Sequence, residues 1–199
     1  MAKCDNCPNP IPRESNCQIQ EFAQFELKEL QADLIEAIKV FYQNDKELLE
    51  RKVNEVCITS HIFHYFASAF SKKYCDYNID PEYNRNGEET KRYNINDNRY
   101  NYARPDLILH KRGCNRHNLL YIEFKTNKKS YSQQDKEKII RFVSNEGIEE
   151  SGRRIKPYRY KYGVSVLLNI NEVSMLWYCN GQNISLCECK FSTKTWEKI

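Results

Sequence analysis

Over residues 21–43 apolar side chains recur every three or four positions, at Leu27, Leu30, Leu34, Ile38 and Phe41, with Lys28, Glu29, Asp33, Glu36 and Lys39 between them. At 3.6 residues per turn this stripe winds along one face, so the segment predicts an amphipathic helix. Asn44 and Asp45 interrupt it and suit the cap of a second helix, predicted over residues 46–70. There Val53, Val56, Phe63, Ala67 and Phe70 mark one apolar stripe, and Ile58, Ile62, Tyr65, Phe66 and Ala69 widen it. The period then changes. Residues 74–85, with Tyr77, Ile79 and Tyr83, read as a strand, and Pro81 assigns it to an edge or a bulge because proline has no N–H for the ladder. Two short apolar runs, Leu107 to Leu109 and Leu119 to Ile122, flank a polar loop over residues 111–117 and read as a hairpin. Helical spacing returns over residues 130–145, where Ile139, Ile140, Phe142 and Val143 alternate with Lys136, Lys138 and Arg141. Residues 160–170 and 173–179 then predict a buried strand and its neighbour, Asn180 and Gly181 a turn, and residues 184–196 one more strand. Residues 86–102 and 147–156 show no period and read as loops.

This order of elements predicts an α/β fold of three layers: a central mixed β-sheet flanked by helices, with a helical pair at the N-terminal end. The 199 residues suit a single domain over residues 21–199, preceded by an irregular, proline-containing lead-in over residues 1–20. Apolar residues make up 40% and charged residues 29%, a globular balance and not a disordered one.

The chemistry concentrates on the hairpin. Side chains on a strand alternate faces, so Glu123 and Lys125 point one way while Ile122 and Phe124 point the other. Charged groups at the end of a central apolar strand are expected to be paired or to bind something. Asp106, at the start of the neighbouring strand, brings a second carboxylate to the same place, and converging carboxylates suit a hard divalent cation. On the second helix Glu55 lies at the edge of the inward face, where the residues alone read it as a solvated edge residue or a partner of Arg51 or Lys52; Glu50 is the other acid near the start of this helix. His61 and His64 read as packing or surface residues.

Pro105 and Asp106, sixteen intervening residues, then Glu123-Phe124-Lys125 resemble the signature of the PD-(D/E)xK nuclease superfamily. The run Glu82-Tyr83-Asn84-Arg85 is similar to the strand preceding the PD strand in nuclease-like bacterial proteins, which extends the resemblance over residues 47–180. The resemblance implies a restriction-endonuclease-like core and a nuclease that hydrolyses phosphodiesters, with DNA the expected substrate. It implies that Asp106, Glu123 and the backbone carbonyl of Phe124 hold Mg²⁺ or Mn²⁺. Lys125 would position the nucleophile and the phosphate, and Glu55 would complete the metal or water shell. Arg85, Arg104, Lys128 and Lys138 are candidate nucleic-acid contacts, with Glu82, Gln134 and Asp135 near the cleft. Three rivals stay open: a catalytically inactive nucleic-acid-binding module, a hydrolase of another phosphate ester, and a structural ion pair between Glu123 and Lys125.

The net charge of +4 permits a nucleic-acid partner without pointing to one. The basic and tyrosine-rich stretch over residues 86–102, with Lys91, Arg92 and Arg99, either covers bound nucleic acid or is a solvated surface loop. No apolar run reaches the length of a membrane span and the first residues lack the apolar core of a signal peptide, so no membrane partner and a cytoplasmic location are expected. Among nine cysteines, Cys4 and Cys7 form a C-x-x-C, Cys17 follows, and Cys187 and Cys189 form a C-x-C. They read either as a zinc site built from both termini or as thiols. Structural zinc is not expected, because no second C-x-x-C completes the set, and neither is a disulfide framework. The oligomeric state is open, a homodimer among the alternatives.

Overall fold

A computed structural model describes residues 18–70, 73, 77–86, 89–96, 99–128, 130–145, 148–150, 153–155, 157–179 and 187–198. Most of the expected lead-in, with Cys4, Cys7 and Cys17, lies outside the described residues, as does the turn at Asn180 and Gly181. The protein is α/β, with a six-stranded mixed sheet flanked by helices. In chain order the sheet strands are β1 (Asn78–Pro81), β6 (Leu107–Lys111), β7 (Cys114–Thr126), β10 (Tyr162–Leu168), β11 (Glu172–Cys179) and β12 (Cys187–Ser192), and they lie side by side in that same order. All neighbours are antiparallel except β7 and β10, which are parallel and joined through helix α4 (Gln133–Val143). Pro81 sits in β1, which is an edge strand, as its missing N–H requires.

Two cores cover the two sheet faces. Helix α1 (Gln18–Asn44) contributes Leu30, Leu34, Ala37, Ile38 and Phe41, and helix α3 (Glu55–Phe70) contributes Ile58, Ile62 and Phe66. They pack on Leu107, Leu109, Ile122, Phe124, Val164, Val166, Val173 and Met175. On the opposite face Ile139, Phe142 and Val143 of α4 pack against Ile108, Tyr121, Leu176 and Tyr178. The Tyr121 and Tyr158 rings stack on Phe142 at centroid distances of 4.4 and 4.5 Å.

Several expectations are corrected. The helix expected over residues 46–70 is two: the single turn α2 (Glu47–Glu50) and α3. Lys52 takes a positive φ of 54°, which ends α2, and the Asn54 side chain accepts the Val56 N–H at 2.9 Å to start α3 anew. The inward stripe is also rotated. Ile58, Ile62 and Phe66, the residues taken to widen it, are fully buried, whereas Val56 is 51% exposed. The loop expected over residues 86–102 contains two antiparallel hairpins, β2 (Arg85–Asn86) with β3 (Glu89–Thr90) and β4 (Arg92–Asn96) with β5 (Arg99–Tyr102). The loop expected over residues 147–156 contains a third, β8 (Ile148–Glu150) with β9 (Arg153–Ile155). Such polar ribbons are held by backbone pairing, so no apolar period betrays them. The polar loop at 111–117 contracts to a turn at Arg112 and Gly113, where Gly113 takes φ 76°, and β7 starts at Cys114.

Candidate functional site

The register Leu107↔Ile122 and Ile108↔Tyr121, continued by one residue, sets Asp106 opposite Glu123 across the β6–β7 pair. Opposite residues of an antiparallel pair share a face, and this is the face that α4 covers. Asp106 Oδ2 accepts the Phe124 N–H at 2.7 Å, which ties the start of β6 to the end of β7. Burial, with the Glu123 carboxylate adding to it, pushes the Asp106 pKa up to about 7.

Glu123 is 2% exposed. Its Oε1 accepts the Tyr121 hydroxyl and stands 2.5 Å from Lys138 Nζ, which reaches down from α4. Lys138 Nζ also lies 3.4 Å from the Arg104 carbonyl oxygen. Lys125, half-buried, extends its ammonium to Glu55 Oε1 at 3.2 Å and to the Phe124 carbonyl oxygen at 3.0 Å. Burial pulls the Lys125 pKa down, but the carboxylates of Asp106, Glu55 and Glu123 outweigh it and hold the group above its ordinary value. Glu55 is the first residue of α3 and its second oxygen accepts the Thr126 N–H at 3.1 Å, so it closes the end of β7. The break before α3 therefore decides where Glu55 stands.

The structure thus brings Asp106, Glu123, Phe124, Lys125, Glu55 and Lys138 to one end of the β6–β7 pair. Glu50 pairs with Lys46 at 3.5 Å instead. Arg104 is exposed and 3.7 Å from Glu82, whose N–H reaches the Asp106 carbonyl oxygen at 3.4 Å. Lys128 is exposed beyond the end of β7, and Arg85 is exposed in β2. Gln134 is exposed, and Asp135 is occupied in a capping box with Ser132 at the start of α4. His61 bonds Asp45 at 2.9 Å and His64 lies edge-on to Tyr65. Cys57 is exposed; of the candidate zinc ligands Cys4, Cys7 and Cys17 lie outside the described residues, while Cys187 and Cys189 stand in β12.

Two residues escaped the sequence reading. Tyr121 lies two positions before Glu123 on the same face, a placement that period two alone predicts. Ser165 pairs in register with Glu123 across β7 and β10, is 1% exposed, and its Oγ has no hydrogen-bond partner among the described residues. Its signal was one hydroxyl inside an otherwise apolar strand.

As donors, two facing carboxylates and a backbone carbonyl are the hard oxygen ligands that Mg²⁺ or Mn²⁺ takes, and a carbonyl oxygen already bonded to Lys125 keeps a second lone pair. Among the described residues no group of three or more His, Cys, Asp or Glu side chains stands together as a ready cation site, so the carbonyl and water would complete the shell. Among the same residues no helix is long and apolar enough to cross a membrane. Compared with family models, curated proteins and solved structures, the chain matches none.

Proposed function

We propose that this protein is a metal-dependent nuclease of restriction-endonuclease-like architecture, hydrolysing phosphodiester bonds, with DNA as substrate. The observation that carries the reading is the pair of carboxylates facing each other across β6 and β7, with the Lys125 ammonium beside them. Asp106, Glu123 and the Phe124 carbonyl would hold the ion. A divalent cation supplies, when bound, a lowered pKa for a water molecule and neutralisation of charge on phosphate oxygens. Lys125 stays protonated at neutral pH because three carboxylates surround it, so it acts as a donor to an anionic phosphate or nucleophile and not as a base. Glu55 steers that ammonium and Tyr121 orients Glu123. The positive charges of Arg104 and Lys128 suit a phosphate backbone passing over the site.

A second reading, a scaffold that binds nucleic acid without cutting it, draws on a specific observation. Both carboxylates are already satisfied inside the fold, Asp106 by the Phe124 N–H and Glu123 by Tyr121 and Lys138. One incubation separates them: purified protein with plasmid, single-stranded DNA and RNA, in Mg²⁺, Mn²⁺ or chelator, beside Asp106→Ala. Metal-dependent cleavage lost in Asp106→Ala supports the nuclease. Binding without cleavage in any metal supports the module, and turnover of only a small phosphodiester such as bis(p-nitrophenyl) phosphate moves the activity to another ester.

A further inference from the structure

Of the two lysines at this end of the β6–β7 pair Lys138 is the more buried, and the nuclease reading gives it no more than a candidate contact with nucleic acid. Lys138 Nζ stands 2.5 Å from Glu123 Oε1, with the two side chains only 14% and 3% exposed. A carboxylate so far from water requires a counter-charge, and in this fold α4 delivers it. The ammonium also occupies the approach to Oε1, where an ion bound at roughly 2.0–2.1 Å would bring two cations into contact. Charge balance points the same way. Once Asp106 has given up its proton to an entering cation, Glu55, Asp106 and Glu123 set three carboxylates against the ammoniums of Lys125 and Lys138, a balance of −1 that the divalent ion turns to +1. One phosphodiester anion neutralises that remainder.

Resting on the metal-site reading, we propose that Lys138 is a built-in counter-ion to Glu123. It leaves when a divalent cation enters between Asp106 and Glu123, and it then holds a non-bridging oxygen of the substrate's phosphodiester. Lysine suits this exchange: its charge is a point at the end of four methylene groups and turns to a new partner, whereas a guanidinium would lock on the carboxylate through two bonds. The stem is anchored because the next residue, Ile139, is fully buried against the sheet. Lys138 is therefore a positioning residue for Glu123 in the ion-free protein and a substrate ligand in the loaded one.

The test is a Mn²⁺ titration of the full chain read by thermal unfolding, beside binding of a short labelled DNA duplex in Ca²⁺. Lys138→Met should lower the Mn²⁺ midpoint on the order of tenfold and weaken duplex binding several-fold. Lys125→Met removes an equal charge without freeing Glu123 and should move the midpoint less. Lys138→Arg should raise it. A Mn²⁺ midpoint that Lys138→Met leaves unchanged or raises, in a parent protein that does respond to Mn²⁺, overturns the exchange and leaves the metal site standing. Unweakened duplex binding overturns the handover to phosphate. No Mn²⁺ response in the parent or the variants withdraws both the metal site and the exchange. Should Lys138→Met fail to fold, the arginine variant decides: a midpoint equal to or below the parent's refutes the proposal.

Discussion

Lys125 and Lys91 are both withdrawn from solvent, yet their surroundings drive them to opposite states. Lys125 meets three carboxylates and is held protonated. Lys91, 1% exposed, meets the Tyr160 hydroxyl at 2.7 Å, the Tyr83 carbonyl at 3.4 Å and the faces of both rings, with Asp80 as its charged neighbour. Rings and hydroxyl offset only part of the lost hydration, and burial brings its pKa down to about 7. Between that value and the ordinary 10.5 the unfolded chain carries a proton that the folded chain lacks, so this residue makes stability rise with pH across that window and lowest below it. In Lys91→Met the gain in denaturation midpoint between about pH 6 and about pH 9.5 should shrink relative to the parent; an undiminished gain would show that Lys91 is not its source. For Lys125 the expectation concerns chemistry. Lys125→Ala should lower the cleavage rate by about a hundredfold or more while duplex affinity in Ca²⁺ falls only modestly, because one phosphate contact among several is lost but transition-state charge is left uncovered. Equal and small effects on rate and affinity would assign the site to binding alone.

At the level of elements, α4 connects the fold to the site. Ser132 caps it, with the Asp135 side chain returning the bond, and its apolar side meets β10 so closely that only glycine fits beneath. A Cβ at Gly163 would lie 2.6 Å from Ile139 Cγ2 and 2.8 Å from Val143 Cγ1. Gly163→Ala should therefore destabilise by about 1–3 kcal/mol through overpacking, measured by urea unfolding. The same shift would lift α4 and move Lys138 off Glu123, so a loss of activity larger than the loss of folded protein is expected. Near-parental stability would mean that the two side-chain ends rotate away without displacing the helix. The hairpins β2–β3 and β4–β5 are tied down by backbone bonds, from the Lys91 N–H to the Asn84 carbonyl and from the Ala103 N–H to the Lys91 carbonyl.

For the molecule as a whole, metal and pH should act together. With its pKa at about 7, folded Asp106 keeps a proton that the unfolded chain has already released above its ordinary 3.8, so without metal this group makes stability fall as pH rises between those values. A cation must displace that proton, and its affinity should therefore climb as pH passes through about 7. The rise in Tm caused by Mn²⁺ should be larger at about pH 8 than at about pH 6, approaching ~2.7 kcal/mol of added stability at a hundredfold excess over Kd. Asp106→Asn should remove it. A Tm shift independent of pH and kept in Asp106→Asn would place the ion elsewhere.

Local pattern determined much of this protein. The stripe of Leu30, Leu34, Ile38 and Phe41, the alternation around Glu123, the edge position required by Pro81 and the buried runs of β10 and β11 are all properties of a few neighbouring residues, for which burial of an apolar face leaves few options. Alternation by itself also puts Glu123 and Lys125 on one face. Tertiary structure decided the rest. Where a helix is apolar nearly all round, as over residues 55–70, composition cannot say which face turns inward, and contact with α1 and the sheet selected Ile58, Ile62 and Phe66 over Val56. The break at Lys52 follows from a backbone conformation that the charged residues around it do not announce, yet it is what lets Glu55 close the end of β7. The Lys138–Glu123 pair joins a helix to a strand fifteen residues away, and Ser165 reaches Glu123 only through the parallel pairing of β7 with β10. Charge neutralisation of a buried carboxylate is a property of assembled surfaces, so no spacing along the chain announces which distant ammonium will supply it.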